Sequence, residues 1–322
     1  MRRRVVITGM GAITPLGHSV AELYDAQIHG RSGIDWISHF DASTFPTRFA
    51  GEVKNFDLGQ FVPNADSYRY SGPNTRFALV AAQQALADAG IPTALPRERF
   101  GIYLGNGDGQ SDFFNMISAI AKALLPDRSA LNVPVFVEAG RATFEPQSEY
   151  ELEIHTTAGR LAHEFQLPGP NFTCQTACAA SSQAIGEALQ LIRQDDADLM
   201  LAGGAHSMIH PFGVTGFNRL TALSTRNEAP CKASRPFDLH RDGFVLGEGS
   251  GMVVLEELEH ARKRGAPIYA EVTGYGSTAD AFRVTDSHDE GRGAIACMLE
   301  ALRDSGLAPS AIGYINAHGT ST

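Results

Sequence analysis

The sequence predicts a layered α/β protein built from two similar halves, and three observations carry that prediction. Short apolar runs of strand length alternate with helix-length amphipathic segments. Two pairs of segments repeat in the same order along the chain. Over 322 residues, 43% hydrophobic and 19% charged is a globular composition that can bury a sizeable core.

The first element is the strand "VVITGMGAI", too short and too interrupted by glycine for a signal peptide or a membrane span. Its stretch "RVVITGMG" (4–11) resembles "YAEVTGYG" (269–276), setting Thr8, Gly9 and Gly11 against Thr273, Gly274 and Gly276. The second pair is "ALADAGIPTALPRERFGIYLGNG" (85–107) and "ALRDSGLAPSAIGYINAHG" (301–319), each read as an amphipathic helix, a loop and an apolar strand. Between the copies, the acidic "EPQSEYELE" (145–153) reads as a solvated loop or helix edge. "PNFTCQTA" reads as a strand, and the recurrence of Ala180, Ala184, Ile185, Ala188, Leu189 and Ile192 as the helix that follows. "DADLMLAGGAHSM" (196–208) has the continuous apolar pattern of a buried strand, and "GSGMVVLEELEHARKRG" (249–265) reads as strand then charged helix. The chain divides into residues 1–262, with one complete half, and 263–322, where the second half is expected to be incomplete.

A formal net charge of −10 without clustered Lys and Arg argues against nucleic-acid binding, and the expectation is a soluble, cytoplasmic protein. The four cysteines have neither disulfide-framework nor zinc spacing, so no metal is expected. Cys174, Cys231 and Cys297 read as packing residues. "GMGAITPLG" misplaces the third glycine of a dinucleotide loop, and Glu248 in "GFVLGEGSG" reads as structural.

Two residues stand where an open α/β sheet carries its chemistry, at the carboxyl ends of strands: Cys178 after "PNFTCQTA" and His318 after "IGYINA". The positive end of a helix favours a thiolate, and free N–H groups there can hold a developing oxyanion. An inert buried cysteine fits the same placement. His318, followed by Gly319 and three small hydroxyl residues, suits a donor to a reacting carbonyl as well as it suits a structural role. Placement alone decides neither.

Taken together, "RRRVVITGMGAITPLG", "TACAAS", "GFNRLTALSTRNEAP", "ASRPFDLHRDGFVLGEGSGMVVLEELEHARKRGA" and "NAHGTST", in that order, resemble the β-ketoacyl-acyl carrier protein synthases of fatty acid and polyketide synthesis. The resemblance implies a thiolase-like αβαβα fold of two duplicated halves, in most members a homodimer, that catalyses decarboxylative condensation of an acyl thioester with a malonyl thioester. It implies that Cys178 is acylated from a carrier-protein thioester and that His318 assists loss of CO₂ from the malonyl group. Thr320 and Thr322 match hydroxyls that bind the phosphopantetheine arm, and Phe217 matches an aromatic near the pocket. The substrates arrive on acyl carrier protein, and no separate cofactor is implied.

The family pattern continues beyond HGTST to a lysine, a second histidine and a glycine-rich oxyanion segment, and the sequence ends at Thr322. The 322-residue polypeptide is therefore expected not to condense substrates alone. A related expectation is a chain-length-setting or otherwise non-catalytic partner in a heterodimer; such partners typically lose the cysteine, so Cys178 favours the enzyme. A cysteine hydrolase would need a base and an orienting acid that nothing near Cys178 in sequence supplies. Glu145, Glu149, Glu151 and Glu153 fall where relatives meet at their dimer interface, and Arg69 and Arg76 are the expected cationic contacts for acidic carrier protein.

Overall fold

The computed structural model describes residues 2–92, 95–107, 112–283 and 287–322. In chain order the elements are β1 (Val5–Ile13), α1 (Val20–Ile28), β2 (Asp35–Trp36), β3 (Phe49–Ala50), α2 (Pro73–Asp88), β4 (Phe100–Asn106), α3 (Phe113–Ala123), α4 (Val133–Thr143) and α5 (Pro146–Tyr150). There follow α6 (Thr156–Phe165), β5 (Asn171–Cys174), α7 (Ala180–Arg193), β6 (Leu199–His206), α8 (Pro211–Arg219), β7 (Gly249–Glu257), α9 (Leu258–Arg264), β8 (Ala270–Glu271) and α10 (Arg292–Ser305).

A six-stranded mixed sheet runs in the order β5-β4-β6-β7-β1-β8. β4 is parallel to β5 and β6, whereas β7 runs antiparallel to both β6 and β1. Helices cover both faces, as the layered reading requires. On one side α2 and α6 bury Phe77, Leu79 and Leu161 with Phe100, Ile102, Leu201 and Val254. On the other, α7 packs Ala188, Leu189 and Ile192 against Met200, Ala202 and Leu255. Burial on two faces explains why "LMLAGGA" reads as an unbroken apolar run rather than an alternating one.

The two repeated segments make the same contacts. A Cβ on Gly9 or Gly11 would lie under 3.0 Å from the carbonyl oxygens of Ala85 and Ala81 in α2; on Gly274 or Gly276 it would meet those of Ala301 and Cys297 in α10 as closely. The Met10 N–H donates to Asp88 at 2.9 Å, and its counterpart Tyr275 N–H donates to Asp304 at 2.9 Å. Ala12 N–H reaches Gln84 as Ser277 N–H reaches Glu300. Both helices end at a glycine in the left-handed region, Gly90 (φ 58°) and Gly306 (φ 71°). The copies meet where β1 and β8 pair antiparallel, with Val6 opposite Glu271. Part of the first copy's loop, residues 93 and 94, lies outside the described residues.

One expected element differs. Residues 312–317, read as the second copy's apolar strand, form no ladder among the described residues, and Tyr314 and Ile315 are 81% and 66% exposed. β4 becomes a strand because β5 and β6 flank it; an apolar run without such neighbours has no ladder to join.

The acidic segment is a second correction, because Glu151 is buried. It accepts from Ser71 Oγ at 2.8 Å and from Arg160 Nε at 2.9 Å, tying α6 to the turn before α2. A carboxylate buried beside a guanidinium and a hydroxyl is indistinguishable, in composition alone, from its solvated neighbours.

Asp304 joins the second copy to the first. Burial opposes its ionisation, but bonds from Arg193, Arg2 and the Tyr275 N–H prevail and hold it below the usual carboxylate range. A depressed folded-state pKa gives stabilisation that is complete above the ordinary value of 3.8 and lost as pH falls through the folded one. The protection factors of the α10 amides, measured against the intrinsic exchange rate at each pH, are expected to fall on acidification below that point, and in Asp304→Asn they should already be reduced at neutral pH.

Candidate active site

Cys178 lies on a 3-10 turn, Ala177–Ala179, between β5 and α7. Its position directly before the helix follows from the sequence, but the shape of the turn does not. Ala177 has φ +49°, a conformation costly for a residue with a Cβ and concentrated at functional sites. The Ala179 N–H donates to the Thr176 oxygen at 3.2 Å and the Ala180 N–H to the Ala177 oxygen, which hold the turn. Cys178 is exposed, whereas Ala180, two residues on, is buried. This is opposite to an inert packing cysteine.

The first turn of α7 rests directly on the sheet. A Cβ on Gly105, near the end of β4, would lie under 3.0 Å from Ala180 C and Ser181 N, and one on Gly204 in β6 equally close to Ser181 Oγ. These two glycines let α7 approach the carboxyl ends of the parallel strands, and so set where Cys178 emerges. Cys174 Sγ donates to the Ala180 oxygen at 3.2 Å, and burial, then the nearby Glu187 carboxylate, pushes its thiol pKa up. A neutral, packed Cys174 and an exposed Cys178 thus divide the two neighbouring thiols.

The segment 318–322 forms a second centre. His318 is exposed, and the hydroxyls of Thr320 and Thr322 approach to 2.7 Å. Between them Ser321 is buried at φ 71°; its carbonyl accepts from the Gly243 N–H at 3.0 Å and its Oγ from the Arg235 N–H at 3.1 Å. Phe217, on α8, meets Phe244 edge-on at 5.3 Å, and Phe244 directly follows Gly243. Phe217 and the threonine pair are thus linked through one short stretch, 243–244. No hydrogen bond joins Cys178 to His318 among the described residues.

Sequence reasoning did not single out Gly105, Gly204, Arg235 or Asp242. The glycines were legible as interruptions inside apolar strands, which mark close backbone approach. Arg76 is also reassigned: it is half-buried, donates to the carbonyls of Tyr68 and Arg69, and burial lowers its pKa, so it braces the turn before α2 instead of offering a free cation. Arg69 lies over the Tyr70 ring at 4.7 Å.

Glu248, read as structural, is buried and accepts from Ser207 Oγ at 2.6 Å and Val53 N–H at 2.9 Å, with His39 Nε2 3.0 Å away. The bond to Glu248 raises the His39 pKa against the opposing effect of burial, assisted by the Glu248 and Glu52 charges. A raised folded-state pKa gives stabilisation that is full below the ordinary value of 6.5 and lost as pH rises through the folded one. The urea midpoint is expected to fall between pH 6 and pH 9, a trend that His39→Gln should flatten.

An exposed thiol ahead of a helix N-terminus, on a mixed α/β sheet, is suited to nucleophilic acyl transfer. Comparison with known proteins agrees. The β-ketoacyl synthase N-terminal domain profile matches residues 2–261 and the C-terminal domain profile residues 269–322. The chain belongs to the β-ketoacyl synthase family. It is 42% identical over 324 residues to 3-oxoacyl-[acyl-carrier-protein] synthase 2 of Coxiella burnetii, covering 100% of this chain and 74% of that protein. To the chloroplastic 3-oxoacyl-[acyl-carrier-protein] synthase II of Arabidopsis thaliana it is 40% identical, covering 57% of that protein. Among solved structures, a β-ketoacyl synthase from Burkholderia phymatum superposes with a TM-score of 0.83 at 35% identity, covering 100% of this chain and 75% of that one. A type II polyketide ketosynthase solved with its acyl-carrier protein superposes at 0.84 with 30% identity, covering 100% and 74%. Among the described residues no helix is long and apolar enough to cross a membrane.

Proposed function

We propose that the chain is a 3-oxoacyl-[acyl-carrier-protein] synthase, an acyltransferase of fatty acid biosynthesis in which Cys178 is the nucleophile. The Cys178 sulfur attacks an acyl thioester; the new C–S bond forms as the carrier's thiol leaves. Loss of CO₂ from a malonyl thioester then gives an enolate that attacks the acyl-cysteine, releasing Cys178 and yielding a 3-ketoacyl product. His318 acts as a neutral donor to the enolate oxygen, while Thr320 and Thr322 bind the phosphopantetheine arm and Phe217 borders the acyl path. The observation that carries this reading is the exposed sulfur on a turn strained at Ala177, directly ahead of the N-terminus of α7.

Acyl carrier protein is the proposed partner, and a dimer the proposed assembly. The apolar face of α3 and α4, where Phe114, Val133 and Val137 are 76%, 64% and 50% exposed, supports association. Residues 1–262 and 263–322 are the proposed halves. The test is to incubate the protein with an acyl carrier protein thioester and search by intact mass and peptide mapping for an acyl group on Cys178. An adduct mapped elsewhere, or none, would overturn the reading.

A further inference from the structure

Arg235 and Asp242 bracket the loop on which the segment 319–322 lies. Arg235 Nη2 donates to Asp242 Oδ1 at 2.8 Å and to the His240 carbonyl at 2.6 Å, closing the loop on itself. Asp242 accepts in addition from Ser224 Oγ at 2.9 Å and from the Thr225 N–H at 3.2 Å. Ser224 is fully buried, and its carbonyl accepts from Thr47 Oγ1 at 2.8 Å, so the aspartate is anchored to the body of the protein. From this braced loop two backbone donors, Arg235 N–H and Gly243 N–H, hold buried Ser321, and Arg241 Nε donates to the Thr322 carbonyl at 2.9 Å.

The intervening glycine makes the arrangement possible. Gly243 has φ +135°, and a Cβ there would lie under 3.0 Å from the backbone of residues 222–224. Only a bare backbone lets the same loop lie against 222–224 on one side and hold Ser321 on the other. Ser321, at φ 71°, is in a conformation it would not keep without such restraint.

We infer that the Arg235–Asp242 pair is a positioning device for the 318–322 segment: through Gly243 and Ser321 it fixes the direction of His318 and of the Thr320 and Thr322 hydroxyls. These residues touch no reacting atom; they act through the segment they hold. The inference rests on the reading of His318 and the two threonines as the malonyl-thioester side of the site, but its structural half can be measured without it.

The experiment compares wild type with Asp242→Ala, Asp242→Asn and Ser321→Ala, reading thermal unfolding, amide hydrogen exchange at Gly243 and Arg235, acyl transfer to Cys178, and CO₂ release from malonyl carrier protein. Asp242→Ala is expected to speed exchange at both amides by about tenfold or more, the scale of one lost charge-assisted bond. Decarboxylation should fall by a similar factor with acyl transfer to Cys178 within about twofold, and Asp242→Asn, which keeps an acceptor oxygen, should recover part of both. Should Asp242→Ala fail to fold, Ser321→Ala removes a single acceptor and supplies the same readout. Unchanged exchange in the variants overturns the positioning device. Accelerated exchange with unchanged decarboxylation, or a wild type that releases no CO₂, leaves the device standing and overturns the role given to His318.

Discussion

Replacing Cys178 with alanine is expected to abolish the acyl adduct, lowering acyl transfer from the carrier thioester at least about a thousandfold, because the covalent intermediate is lost with its sulfur. Stability should change little, since the side chain is exposed and leaves no cavity. Cys174→Ala gives the opposite pattern. Its sulfur is partly buried and bonded to the Ala180 oxygen, so the variant should lose about 1 kcal/mol of stability while still acquiring an acyl group on Cys178. Intact-mass measurement of the two variants beside wild type separates the roles, and an adduct surviving in Cys178→Ala would end the assignment of the nucleophile.

The second large effect lies in the sheet. Gly105→Ala places a methyl group under 3.0 Å from backbone atoms of Ala180 and Ser181, which no side-chain rotation can relieve. The first turn of α7 must move, with a loss of about 1–3 kcal/mol and a displaced Cys178. Gly159→Ala, in α6 with nothing within 4 Å of the added carbon, is the matched control and should be neutral or slightly stabilising. Denaturant midpoints give the stability difference. The alkylation rate of Cys178 by iodoacetamide reports the turn, and an unchanged rate in Gly105→Ala would show that the strand end does not set the sulfur's position.

Local features of the chain were legible to the extent that their physics is local. The helix after Cys178 follows from apolar spacing, the buried β6 from its unbroken apolar run, and the duplication from glycines that face a helix in both copies. What remained hidden depends on partners distant in sequence. Glu151 resembles its acidic neighbours until Ser71 and Arg160 meet it in space, and Arg76 resembles a free cation until the carbonyls of Tyr68 and Arg69 occupy it. The stretch at 312–317 has the composition of a strand, yet a strand is a property of a pair. At the site, Cys178 and His318 could be named from their surroundings in sequence, but the left-handed Ala177 and the loop that holds Ser321 could not, because backbone strain has no compositional signature when the strained residue is not glycine.

The pairing of β1 with β8 has a further meaning. Val6 and Glu271 occupy the same place in the two copies and stand opposite each other, while the Tyr269 N–H donates to Ile7 and the Val272 N–H to Val5 around them. A local dyad therefore passes between equivalent residues, the geometry with which identical subunits associate. The seam inside this polypeptide has the form of a homodimer contact whose two protomers have been fused, each closing the open border of its twin.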